Sequence, residues 1–110
     1  MSLPNIPSYP MPTKDEFPKN RVEWDLDPNR AALLIHDMQT YFLDAYEQGV
    51  LVETLIRHIK QLKQLCKSLG IPVYYTGQPG GQVIKDRQLL QDFWGSGIPA
   101  DPSKEAIVER

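Results

Sequence analysis

The strongest chemical feature of this 110-residue chain is a carboxyl group just past a run of apolar residues. Asp37 follows Ala31-Ala32-Leu33-Leu34-Ile35 with one residue, His36, between. Its neighbours Met38, Tyr41 and Phe42 lower the local polarity. Such surroundings favour the neutral carboxylic acid, which makes the group a usable general acid. The plainer role is an N-cap for a helix over residues 38–41.

Other reactive types have weaker settings. His36 beside Asp37 suggests a dyad or a metal site, but adjacent strand residues point to opposite faces. No second histidine lies at ligand spacing, because His58 falls in mid-helix, so no metal is expected. Cys66 lies on an apolar helix stripe, where cysteines are usually inert. Gln78-Pro79-Gly80-Gly81 fits neither G-x-G-x-x-G nor G-x-x-x-x-G-K. It reads as a plain turn, or as a substrate loop in which Gln78 donates hydrogen bonds. Arg87 can fork onto a carboxylate or form a surface salt bridge. Trp94 can wall a pocket or fill the core.

These residues need a scaffold. Residues 31–35 read as a short parallel strand buried on both faces. Residues 39–47 read as a short helix or turn. Val52, Leu55, Ile56, Ile59, Leu62, Cys66 and Leu69 mark one stripe of a helix over residues 51–69. Gly70 and Pro72 stop it. Val73-Tyr74-Tyr75-Thr76 is rich in β-formers and reads as a second strand. Strand, helix and strand in this order make a βαβ unit, whose ligands gather at the carboxyl ends of the strands. Asp37 and Gln78 stand just past those ends. Residues 85–93 suggest another short helix. Asp101-Pro102 looks like an N-cap and first helical residue, opening a helix that runs to the end of the sequence.

Residues 1–30 form a Pro-rich arm, with prolines at 4, 7, 10, 12, 18 and 28. These exclude a long helix or central strand. Leu3, Ile6, Tyr9, Met11, Phe17, Val22 and Trp24 are too apolar for a pure linker. The arm is expected to lie extended on its own domain or on a partner subunit. Two strands and one full helix cannot cover both faces of a parallel sheet, and a two-stranded sheet is marginal alone. By pattern the chain is half a domain, or is completed by another chain.

Charge is balanced, with 12 Lys+Arg against 14 Asp+Glu. This gives no electrostatic case for nucleic acid or an anionic membrane. Hydrophobic residues make up 41%, which suits a folded domain. A single cysteine cannot form an internal disulfide, and the first residues lack the pattern of a signal peptide. The expectation is a soluble, cytoplasmic protein.

Taken together, AALLIHDMQTYF at 31–42, LGIPVYYTGQPGGQ at 69–82 and DRQLLQDFWGSGI at 86–98 resemble the siderophore-type isochorismatases. PSYPMPT and PKNRVEW in the arm are similar to theirs too. The resemblance runs through essentially the whole chain, and QPG followed by DRxLLxDFWG is its most specific part. It implies an α/β fold, a Rossmann-like parallel sheet with flanking helices, of which residues 31–110 are the N-terminal half. It also implies a homo-oligomer and no cofactor.

Carried onto this sequence, the resemblance implies that Asp37 is the catalytic acid. Phe42 lines the pocket, Gln78 and Arg87 hold the substrate, and Trp94 stands near the same pocket. The implied reaction splits the vinyl ether of isochorismate into pyruvate and 2,3-dihydro-2,3-dihydroxybenzoate. The family's catalytic lysine and later cysteine segment have no match here, and neither Lys85 nor Cys66 replaces them. Three alternatives remain open. They are hydrolysis of 2-amino-2-deoxyisochorismate in phenazine biosynthesis, a non-catalytic remnant or binding partner of the same fold, and a nicotinamidase-like cysteine amidohydrolase.

Overall fold

The structure, a computed structural model, describes residues 3–108. Two short strands, β1 (Leu33–Ile35) and β2 (Val73–Tyr75), pair in parallel, with Leu33, Leu34 and Ile35 opposite Val73, Tyr74 and Tyr75. Between them run a short helix α1 (Thr40–Leu43) and the long helix α2 (Val50–Leu69). The expected βαβ order, parallel strand pair and long helix are therefore present. Gly70 closes α2 in the left-handed conformation (φ 71°), where a side chain would be strained. Ile71 N–H then donates to Cys66 O at 2.8 Å and turns the chain into β2.

α2 packs on one face of the strand pair. Leu51, Val52 and Cys66 on the helix are buried, as are Ile35 and Ile71. Cys66 is thus a core residue, as its place on the stripe suggested. The Lys63 ammonium caps this layer 5.2 Å above the Tyr75 ring. The stripe is narrower than its apolar spacing predicts, because Leu62 and Leu69 stay about half exposed.

The strands are not buried on both faces. Leu34 and its register partner Tyr74 are each 58% exposed. Among the described residues no helix covers that side, so the apolar run of β1 finds a partner on one face only. The chain's accessible surface is 8877 Å², against roughly 6,200 Å² for a compact monomer of this mass.

Two other expectations are corrected. The helix expected over residues 85–93 is two pieces, α3 (Ile84–Arg87) and α4 (Leu89–Trp94). Gln88 takes φ 49°, which breaks the helical ladder without a glycine or proline to announce it. The last helix, α5 (Pro102–Glu105), does not run on to the end of the sequence. It opens as expected, with Ser103 N–H donating to Asp101 Oδ1 at 3.0 Å and Pro102 in the first turn. It stops at Ala106, because the next residues pair with the 38–40 segment instead. Thr40 N–H donates to Ala106 O at 3.0 Å, Val108 N–H donates to Met38 O at 2.7 Å, and Gln39 and Ile107 form an antiparallel bridge. Lys104 adds an ion pair to Asp44, tying α5 to α1.

Within the arm, Ile6 pairs in parallel with Tyr46, and Ser8 N–H donates to Glu47 Oε2 at 2.7 Å. One-turn 3-10 helices follow at Lys14–Glu16 and Pro28–Arg30. Phe17, Trp24 and Leu26 project into solvent. No helix among the described residues is long and apolar enough to cross a membrane.

Candidate active site

The register of the strand pair builds the first part of the site. Continuing it by one step sets residue 36 against residue 76, and Thr76 N–H donates to Ile35 O at 3.0 Å. The Thr76 hydroxyl becomes a hub. His36 Nδ1 lies 2.7 Å from Oγ1, Asp37 N–H donates to Oγ1 at 3.0 Å, and Oγ1 lies 3.2 Å from Asp37 Oδ1.

His36 and Asp37 were expected to diverge, and they do not. Asp37 lies past the strand, with φ 51°, so the alternation of strand side chains no longer applies. The left-handed backbone brings its Oδ2 to 3.5 Å from His36 Nε2. Nor is Asp37 a helix cap, since Gln39 holds that position for α1. A non-glycine residue in this conformation costs roughly 1–3 kcal/mol, the kind of strain found where a side chain must be aimed.

Thr76 has one hydrogen and two lone pairs to distribute. Asp37 N–H uses one lone pair. If the carboxylate takes the Thr76 hydrogen, His36 Nδ1–H fills the other lone pair. If Asp37 is a carboxylic acid, its own O–H fills that lone pair, and the Thr76 hydrogen points to His36 Nδ1. Both arrangements are fully bonded, so the cradle accommodates a carboxylate and a carboxylic acid alike.

A second part is built from α1, the loop after β2, and helices α3 and α4. Phe42, Gln78, Arg87 and Trp94 together line a cavity of about 200 Å³. Leu3, Tyr41, Leu90 and Gly97 complete its wall. Asp37 is not among the lining residues. Four of the five residues singled out by the sequence therefore line one cavity, and the fifth, Asp37, follows the carboxyl end of β1.

Arg87 is 4% exposed, so it is no surface salt bridge. Its Nε–H donates to Gly95 O at 2.8 Å and its Nη1 to Gln82 Oε1 at 3.3 Å. Both acceptors are neutral, and among the described residues no carboxylate pairs with it. A desolvated guanidinium without a counter-charge is set up to receive an anion. Gly97, with φ 75°, passes directly over this group, and a methyl there would overlap it. Trp94 is 47% exposed, which makes it a wall of the cavity rather than a core ring. Tyr41 and Phe42 meet edge-on at 5.2 Å on the facing side.

Sequence reasoning missed Thr76 and Gln39. Thr76 was read only as the end of β2. Its signal was position: a hydroxyl residue one step past a strand, opposite the residue before Asp37. Gln39 is 1% exposed, and its side chain reaches Gln78 across the strand ends. Among the described residues, no group of three or more His, Cys, Asp or Glu could hold a metal ion.

Comparison with known proteins places the chain in a family. The chain is 52% identical over 109 residues to the protein named isochorismatase of Bacillus subtilis (strain 168), covering 98% of this chain and 35% of that protein. It is 43% identical over 111 residues to enterobactin synthase component B of Escherichia coli (strain K12), covering 100% of this chain and 39% of that protein. It is 41% identical over 107 residues to phenazine biosynthesis protein PhzD1 of Pseudomonas aeruginosa, covering 97% of this chain and 51% of that protein. The chain thus spans between about a third and a half of the length of these relatives. The family model for the isochorismatase domain matches residues 31–110, and the chain belongs to the isochorismatase family.

Proposed function

We propose that the protein hydrolyses the vinyl ether of isochorismate, giving pyruvate and 2,3-dihydro-2,3-dihydroxybenzoate in siderophore biosynthesis. The observation that carries this reading is the convergence of Phe42, Gln78, Arg87 and Trp94 on one cavity, with a buried guanidinium that has no carboxylate partner among the described residues. A carboxylate-bearing ring substrate suits such a site. Arg87 takes a carboxylate, Gln78 offers a polar group, and Phe42 and Trp94 flank the ring.

In the proposed reaction, the Asp37 carboxylic acid gives its proton to the terminal CH₂ carbon of the enol ether. The resulting oxocarbenium ion is attacked by water, whose proton returns to the carboxylate. The hemiketal then collapses: its C–O bond to the ether oxygen on the ring breaks as its own hydroxyl hydrogen passes to that oxygen, giving the pyruvate carbonyl and a ring hydroxyl. General-acid catalysis of this type contributes about 10²- to 10⁴-fold. For this transfer the acid hydrogen turns from Thr76 Oγ1 to the substrate, and Thr76 then donates to the carboxylate that forms.

Pyruvate release from isochorismate and from its 2-amino analogue, by the purified full-length protein, tests the substrate. Higher kcat/KM with isochorismate supports the reading. A preference for the amino analogue would move the protein to the phenazine-type reaction, and no pyruvate from either would reject hydrolase activity.

A further inference from the structure

Gln39 is a buried amide whose hydrogen bonds all leave its own helix. Its Nε2 donates to Gln78 O at 2.8 Å and to Glu105 O at 2.7 Å, while Gln78 N–H donates to Gln39 Oε1 at 2.8 Å. Both hydrogens of the side chain are used, and its oxygen is paired. The amide therefore acts toward residue 78 as a neighbouring strand would, exchanging two hydrogen bonds with one residue's main chain. It does so where no strand continues, just past the carboxyl ends of β1 and β2. The Gly77 backbone packs against this amide, close enough that a Cβ there would touch Gln39 Cδ at 3.4 Å.

This pairing fixes more than a turn. The Gln78 loop carries Pro79 and two glycines and has little regular structure of its own. Held at both main-chain groups, residue 78 has one placement relative to β1, where it lines the cavity with Arg87 and Trp94. The same amide holds the end of α5 through Glu105 O. Gln39 is also two residues from Asp37, so it links the carboxyl end of β1 to the substrate loop.

We propose that Gln39 is a positioning residue for substrate binding, acting through Gln78. The inference rests on the reading of Gln78 as a substrate-holding residue. A misplaced loop weakens ground-state and transition-state binding alike, so KM rises while kcat changes little. Replacing the amide by a carboxyl group of the same shape gives a sharper readout. A carboxylate would set oxygen against the carbonyls of Gln78 and Glu105, whereas the neutral acid restores one donated hydrogen.

The test uses Gln39→Ala, Gln39→Glu, Gln78→Ala and the Gln39→Ala/Gln78→Ala pair in the full-length protein, with isochorismate as substrate. Gln39→Ala is expected to raise KM about tenfold, with kcat within about threefold of the parent. In the Gln78→Ala background it should add less than about twofold, because its route to the substrate is gone. For Gln39→Glu, an isosteric change, the KM ratio to the parent should grow as pH rises through the carboxyl range, measured where its melting temperature shows it folded. A lowered melting temperature with unchanged KM, additive effects in the pair, or a pH-independent ratio would overturn the proposal. If Gln78→Ala raises KM and the Gln39 variants do not, only this inference fails. If Gln78→Ala leaves KM unchanged, the reading of Gln78 fails with it.

Discussion

The Thr76 hydroxyl lies 3.0 Å from the Asp37 amide nitrogen and 3.2 Å from the Asp37 Oδ1, so one side chain holds both ends of the residue. Thr76 thus offsets the left-handed backbone of Asp37 and orients its carboxyl group at once. Thr76→Val keeps the β-branched shape and removes the hydroxyl. A hydrogen bond to a charged group contributes about 1.5–3 kcal/mol, so kcat should fall roughly 10- to 100-fold. Thr76→Ser should retain most of the rate. Equal kcat in parent and Thr76→Val, measured as pyruvate release, would remove Thr76 from the mechanism.

Arg87 is held under Gly97, and that contact gives a second prediction. Gly97 has φ 75°, and an added methyl would overlap the guanidinium. Gly97→Ala should destabilise the protein by more than about 1 kcal/mol and displace the Arg87 head. KM for isochorismate should rise, as it should in Arg87→Lys, whose point charge cannot reproduce the planar fork. Denaturant melts and KM values check both parts. An unchanged KM in both variants would show that the guanidinium does not hold substrate.

The cap of α5 gives a prediction about acid. The Ser103 hydroxyl and then its main-chain N–H hold the Asp101 carboxyl below its ordinary pKa, with Lys104 adding a smaller charge effect. A carboxyl held lower in the folded chain than in the unfolded one adds stability above the unfolded value of about 3.9. That stability is lost as pH falls through the depressed folded value. Asp101→Asn keeps a cap acceptor and carries no titrating proton. Its stability relative to the parent should therefore improve as pH drops below about 4. Parallel acid-unfolding curves for the two proteins would contradict this account of the cap.

Much of this arrangement was legible in the sequence where local rules decide it. Helix α2 follows its apolar stripe and stops at Gly70. Asp101-Pro102 opens a helix as a cap and first residue should. That Phe42, Gln78, Arg87 and Trp94 belong together was legible from resemblance, not from periodicity, since they come from three short helices and one loop. What escaped was set by contacts between distant segments. Gln39 meets Gln78 and Glu105 across 39 and 66 residues, and no local pattern marks a buried amide of that kind. The end of α5 is decided by pairing with residues 38–40, and the break at Gln88 has no glycine or proline. The exposure of Leu34 and Tyr74 follows from what lies over the sheet, which an apolar run in one strand does not encode.

The central claim is that Asp37 supplies the proton. Asp37→Asn preserves the shape of the side chain and an Oδ1 acceptor for the Thr76 hydroxyl, but carries no carboxylic proton. At saturating isochorismate, pyruvate release by the full-length Asp37→Asn protein should fall at least about 100-fold, with KM and melting temperature near the parent's. Turnover that survives the substitution would contradict the account and place the acid elsewhere.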